Sequence, residues 1–151
     1  MSLTLAVAAR DRILVELACA GTPISEWERG YGGTLKAAIG YRHPASADGW
    51  PFVSLIPTRD TRSLRTGKGD AAELAVVCGY RLAQVSRGED DGLLAVDALA
   101  DAVLAALSLP WRAQWAGRTW DARTAERTGI TLAHPNYELD LAVSFGRPGE
   151  Q

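Results

Sequence analysis

Val96, Leu99, Val103 and Leu107 fall at helical steps in a run that also holds Ala95, Ala98, Ala100, Ala102, Ala105 and Ala106. Apolar side chains at three- and four-residue spacing share one helix face, and alanine both favours helix and permits close approach to a flat neighbour. Asp97 and Asp101 mark the wet side, and Pro110 is placed to end the run. Glu89, Asp90 and Asp91 precede it, where negative charge suits the unpaired amides of a helix start. The flanks make this helix constraining. Before it, Leu74, Val76, Cys78, Tyr80 and Leu82 alternate with Ala75, Val77, Gly79, Arg81 and Ala83. After it, Leu139, Leu141, Val143 and Phe145 alternate with Asp140, Ala142 and Ser144. Period two places each apolar set on one face of a strand. A one-faced helix between one-faced strands asks for a helix layer packed on one side of a sheet.

The rest of the chain fills in that layer pair. Residues 4 to 20 predict a helix with Ala6, Ala9, Ile13, Leu17 and Ala20 inward, and Leu14 and Ala18 widening the stripe. Arg12 and Glu16 stand four apart on its exposed side, and Gly21, Thr22 and Pro23 stop it. Ser25 to Gly33 reads as a connector anchored by Trp27 and Tyr31. Residues 34 to 42 alternate as a half-buried strand. Phe52 to Ile56 forms a second, which Pro51 and Pro57 restrict to an edge or a short run. The strand at 73 to 83 is expected to pair antiparallel with it across the polar residues 59 to 70. Gly117 marks a turn, and 118 to 132 reads as an irregular hairpin or a distorted strand. The expected fold is a single α+β domain over residues 1–151, with a short tail at 146–151. It has two helices on one face of a mostly antiparallel sheet of four strands or slightly more, in the order α-β-β-β-α-(β)-β. The other sheet face carries Ala, Gly, Ser and a few charges, so it must be wet or covered by another subunit.

Composition removes several function classes. Sixteen Lys plus Arg against 18 Asp plus Glu leave a net charge of -2 across 151 residues, with no global drive toward nucleic acid or an anionic membrane. No apolar run is long enough to span a bilayer, and Arg10, Asp11, Arg12 and Glu16 interrupt the N-terminal apolar stretch, so no secretory leader is expected. Cys19 and Cys78 have no Cys-x-x-Cys partner and read as buried small hydrophobes. His43 and His134 each precede a proline, which places them in extended or turn positions, and their spacing supplies no metal-ligand set. Gly67-Lys68-Gly69 lacks the spacing of a phosphate-binding loop, Gly30-Tyr31-Gly32-Gly33 precedes a strand, and no Gly-x-Ser-x-Gly occurs. The expectation is a protein with no catalytic residues, cofactor or metal.

Two features point to interaction surfaces. Arg59, Arg62, Arg65 and Lys68 recur at three-residue steps in a connection longer than a hairpin needs, a cationic segment suited to an acidic protein surface or nucleic acid. Trp111, Trp115 and Trp120 fall within ten residues, joined elsewhere by Trp27 and Trp50, and five tryptophans against two phenylalanines is unusual for a small core. Tryptophan is enriched where one surface meets another.

The order of elements resembles the tail terminator (tail completion) proteins of long-tailed bacteriophages. The segments that carry the likeness are the helix Arg10-Asp11-Arg12-Ile13-Leu14-Val15-Glu16-Leu17 and the proline-flanked strand Trp50-Pro51-Phe52-Val53-Ser54-Leu55-Ile56-Pro57. A long loop then leads into Leu74-Ala75-Val76-Val77-Cys78-Gly79-Tyr80, followed by the helix Asp97 to Leu107 and the closing strand Leu139-Asp140-Leu141-Ala142-Val143-Ser144-Phe145. Together they span about residues 8 to 146. The resemblance implies a non-enzymatic subunit that assembles as a hexameric ring on the last ring of tail-tube protein. Such a ring stops tube growth and joins the tail to the head-neck connector. Its implied partners are copies of itself, the tail tube protein and the connector or neck protein. Its implied place is the tail-neck junction of the virion, after assembly in the host cytoplasm. Arg59, Arg62, Arg65 and Lys68 would then reach a neighbour or the tube ring, or face the lumen through which DNA passes. Two other readings compete: another head-tail connector, neck protein or injection-machine cap, and a small-ligand-binding or enzymatic α+β domain. The last calls for a deep pocket lined by convergent polar groups.

Overall fold

The computed structural model describes residues 2–31, 33–40, 49–61, 71–82, 88–108, 112–115 and 118–146. Its elements run α1 (Ser2–Ala18), α2 (Pro23–Tyr31), β1 (Lys36–Ile39), β2 (Phe52–Thr61), β3 (Ala71–Arg81), α3 (Glu89–Leu107), β4 (Arg112–Trp115), β5 (Arg118–Ala133) and β6 (Asn136–Gly146). The six strands form one sheet in the order β1-β2-β3-β6-β5-β4. Only β1 and β2 pair parallel; every other neighbour pair is antiparallel. The α+β class and the mostly antiparallel sheet are as the alternating runs imply, with one helix and two strands more than the minimum.

The helices share one sheet face. The α3 stripe of Val96, Leu99, Ala100, Val103 and Leu107 is almost wholly withdrawn from solvent. It lies over β3 and β6, meeting Val76, Cys78, Leu139, Leu141 and Val143 within one continuous core. Each such side chain, fully buried, contributes roughly 1.5–3 kcal/mol of transfer free energy. The inward set of α1 is Leu5, Ala6, Ala9 and Ile13, with Leu17 at the margin. Leu14 and Ala18, expected to widen that stripe, are exposed instead, because the helix meets the core along a narrow alanine-lined strip and ends at Ala18. Arg12 and Glu16 do pair, at 2.8 Å, and the Arg12 Nε also donates to the Ala106 carbonyl at 3.2 Å, tying α1 to the end of α3.

Ser25 to Gly33 is not a plain connector: Pro23–Tyr31 is helical. Gly21, at φ 88, turns the chain out of α1 in a conformation that L side chains rarely adopt. Thr22 then serves both helices. Its hydroxyl donates to the Glu16 and Cys19 carbonyls and accepts from the Ser25 amide at 3.3 Å. Pro23 follows at the first helical position, where its missing N–H costs nothing. Ile24 and Trp27 face inward, and Trp27 stacks on Tyr31, meets Tyr80 edge-on, and donates its indole N–H to the Ala95 carbonyl at 3.0 Å. Trp27 and Trp50 are both buried, so these two are core residues of the monomer.

β2 also departs from expectation. It continues through Pro57 to Thr61 and lies between β1 and β3, not at an edge. Pro57 is tolerated because β1 pairs only as far as Leu55, so proline falls where β2 has one described neighbour, beside a register shift between Pro57 and Arg59. The β2–β3 pairing is antiparallel, as the alternation predicts. β5 is a distorted strand, with register shifts between Ala122 and Thr124 and between Arg127 and Gly129. The first lies where β5 turns toward β4, and β4 touches α1, so that end of the sheet curls round the helix layer.

Candidate interaction surfaces

Past its pairing with β4, β5 runs from Ala122 to Ala133 with β6 on one side and no other described partner. Every residue from Arg123 to Ala133 is exposed, on both faces of the strand. The β6 register sorts those faces. Ala125, Arg127, Ile130 and Leu132 stand opposite Val143, Leu141, Leu139 and Tyr137, which are buried on the helix side. Thr124, Glu126, Gly129 and Thr131 belong to the other face. α3 lies over β3 and β6 and, among the described residues, leaves the helix side of β5 exposed from Arg123 to Ala133. Ile130 and Leu132 are each 47% exposed, and Leu94 on α3 is 65% exposed.

The uncovered margin forms a groove between α3 and β5. One cleft of about 540 Å³ is lined by Leu93, Leu94, Asp97, Arg127, Ile130 and Leu139 among others. A second, of about 350 Å³, is lined by Leu104, Leu107, Ala122, Ala125 and Val143 with their neighbours. Arg127 crosses between them from β5 to α3, pairing with Asp97 and, at 2.7 Å, with Asp101. Its guanidinium pKa is raised, first by the hydrogen bond to Asp97, against the opposing effect of burial. The two aspartates that mark the wet side of α3 thus meet β5 through Arg127, while the ladder to β6 holds the strand. The lining is mainly aliphatic, and its charges are already matched to one another.

On the far sheet face, Ile56, Ala75, Val77, Thr128, Thr131, Glu138 and Asp140, among others, line a shallow cleft of about 490 Å³. The Asp140 carboxyl is raised above its ordinary range, first by burial and then by the Glu138 charge. This face carries Ala75, Gly79, Ala142 and Ser144 with a few charges, as the alternation predicts, but also Ile56 and Val77, which make it more apolar than expected. Cys78, on β3 beside β6, lies on the opposite sheet face from Asp140 and points into the core; burial above all, with a smaller effect from Asp140, pushes its thiol up to about 12. Cys19 is exposed, contrary to the reading of both cysteines as buried, because it lies just past the end of α1, and both thiols are free. His134 sits in the β5–β6 turn, as its proline predicts, with Nδ1 against the Tyr137 hydroxyl; His43 lies outside the described residues. Among the described residues no group of three or more His, Cys, Asp or Glu could hold a metal ion, and no helix is long and apolar enough to cross a membrane.

Of the residues singled out from sequence, Arg59 is an exposed residue of β2, opposite Glu73 on β3, and so belongs to the strand and not to the loop. Arg62, Arg65, Lys68 and Trp111 lie outside the described residues. Trp115 and Trp120 come together on one ribbon, where Trp115 pairs with Arg118 on β5 and Trp120 with Ala113 on β4. The α3–β5 groove and the open β5 edge were not singled out. A strand exposed on both faces carries no period, and the Arg127 bridge joins residues thirty apart.

No family model matches the chain. No curated protein matches it either. A solved structure covers 93% of this chain and 96% of its own, at 14% identity and a TM-score of 0.45, a likeness too slight to argue from.

Proposed function

We propose that this chain is a structural subunit of the tail-terminator kind, which acts by docking side by side with copies of itself into a ring on the end of a phage tail tube. The observation that carries the reading is β5: a long strand exposed on both faces from Arg123 to Ala133, with one edge that has no partner among the described residues, beside a groove of exposed leucine and isoleucine. Open strand edges are templates for another chain, and a contiguous apolar margin costs solubility unless something covers it. A ring needs one patch that gives and a different one that receives. The five segments that carry the resemblance overlap α1, β2, β3, α3 and β6, with Trp50 and Pro51 ahead of β2 and Pro57 inside it. On this reading the ring stops tube growth, offers its other side to the head-neck connector, and performs no chemistry.

Tail length tests this. Phage lacking the chain should assemble tails longer than wild type, or tails without heads, in negative-stain micrographs. Normal tails joined to heads would overturn the reading.

A further inference from the structure

The open β5 edge has a counterpart at the opposite side of the same sheet. β1 is the other edge strand, four residues long, and among the described residues it pairs only with β2. We infer that β1 of one copy adds to β5 of the next, so that the sheet continues from subunit to subunit. This names the joint of the ring proposed above and rests on that reading for its repetition around a ring.

Direction, length and faces agree. β1 runs parallel to β2, and three antiparallel steps through β3 and β6 bring the sheet to β5, so β1 and β5 run in opposite directions. Two copies side by side, helix layers on the same side, therefore meet as an antiparallel pair, which makes the full set of ladder hydrogen bonds. The bulge at Thr128 breaks the edge, leaving Gly129 to Ala133 as a regular stretch about as long as β1. A bulged edge discourages indiscriminate extension and restricts the site to a short partner. The faces then fix the register. Ala37 and Ile39 pair with Val53 and Leu55, which are buried on the helix side. Ile130 and Leu132 present the same side of β5. Setting Ile39 opposite Ile130 puts Ala37 opposite Leu132, and covers two side chains that are 47% exposed in the monomer. Ala38 then faces Thr131 on the other side.

Charge supports the same register independently. Arg59 and Glu126 are exposed, and neither has an ion-pair partner among the described residues. Both lie on the face away from the helices. Followed across the ladders, Arg59 lies as many rungs beyond Ile39 as Glu126 lies beyond Ile130, and in the same direction. The register chosen for the apolar pairs thus levels Arg59 of one copy with Glu126 of the next. β1 has ended there, so the two are roughly two strand spacings apart, about 9–10 Å between backbones, a span that an extended arginine and glutamate close together.

Single-cysteine variants test the joint. In a Cys19→Ser background, Ala38→Cys and Thr131→Cys are purified separately, mixed at up to about 1 mM and oxidised. Opposed strand residues meet disulfide geometry. The mixture should give a cross-linked dimer at least five-fold above either variant alone, and Arg59→Glu or Glu126→Arg should reduce it, with the two reversals in opposite partners restoring it. Equal cross-linking in the single-variant controls, or none in the mixture, overturns the joint. Rings seen on tube ends without the mixed cross-link would discard this joint and leave the ring reading standing; a mixed cross-link from a protein that never caps tubes would do the reverse.

Discussion

Gly92 sits on the inner face of α3, and a Cβ added there would overlap the ring of Tyr137 on β6. Two effects of Gly92→Ala oppose each other. Alanine inside a helix is worth about 1 kcal/mol over glycine. Overpacking a filled core costs about 1–3 kcal/mol. Overpacking wins here, because Tyr137 is 0% exposed and its hydroxyl is held at His134, so the ring cannot step aside. The added Cβ would lie well under 3.0 Å from a ring carbon, which puts the overpacking at the upper end of that range, so the net expectation is a loss of about 1–2 kcal/mol, or roughly 3–6 °C in Tm for a domain of this size. Gly30→Ala is the internal control: it is helical, exposed, and has nothing within 4 Å of the added methyl, so propensity acts alone and the melt should rise by about 2 °C. Thermal melts by circular dichroism, with urea midpoints at constant slope, measure both. Adding Tyr137→Leu should make the second loss smaller than it is in wild type, since the clash is gone. A Gly92→Ala protein as stable as wild type would refute the close seating of α3 on β6.

Three further outcomes follow from the side-chain environments. Asp140 prefers its proton in the folded state, so the stability this group contributes is present at acid pH and is lost as pH rises through its raised folded value. Asp140→Asn should therefore melt above wild type at neutral pH, with the gap closing near about pH 3, where the carboxyl is neutral in both states; a gap that widens toward acid would contradict the raised pKa. Cys78 should resist a thiol reagent at about pH 8 in the folded protein while exposed Cys19 reacts, one thiol counted in native protein and two in denaturant. Arg127→Ala should cost only about 1 kcal/mol or less, because both of its ion pairs are half-exposed, and a loss several times larger would mean that β5 depends on that bridge for its place.

Sequence period exposed the parts of this fold that have one wet face and one dry face. Leu74 to Leu82, Leu139 to Phe145 and the Val96–Leu107 stripe lie where their spacing puts them, because burial on one side is what creates the period. α2 escaped notice because Pro23 and the following glycines read as breakers, although Thr22-Pro23 is also the signature of a helix start, with Ile24 and Trp27 three apart behind it. Pro57 inside β2 was legible only once β1 was seen to end at Ile39. β5 is the instructive case. Solvent on both sides erases alternation, so the sequence over 118–132 reads no further than an irregular hairpin or a distorted strand. Arg127 gave no local signal, since its meaning lies in Asp97 and Asp101, which only the packing of α3 beside β5 brings within reach.

The most direct test of the account is to image growing tail tubes with and without the purified chain. The account predicts a ring seated at one end of each tube, one subunit thick, and elongation halted wherever it sits. Tubes that lengthen at the same rate with bare ends, while the chain stays monomeric beside them, would contradict it.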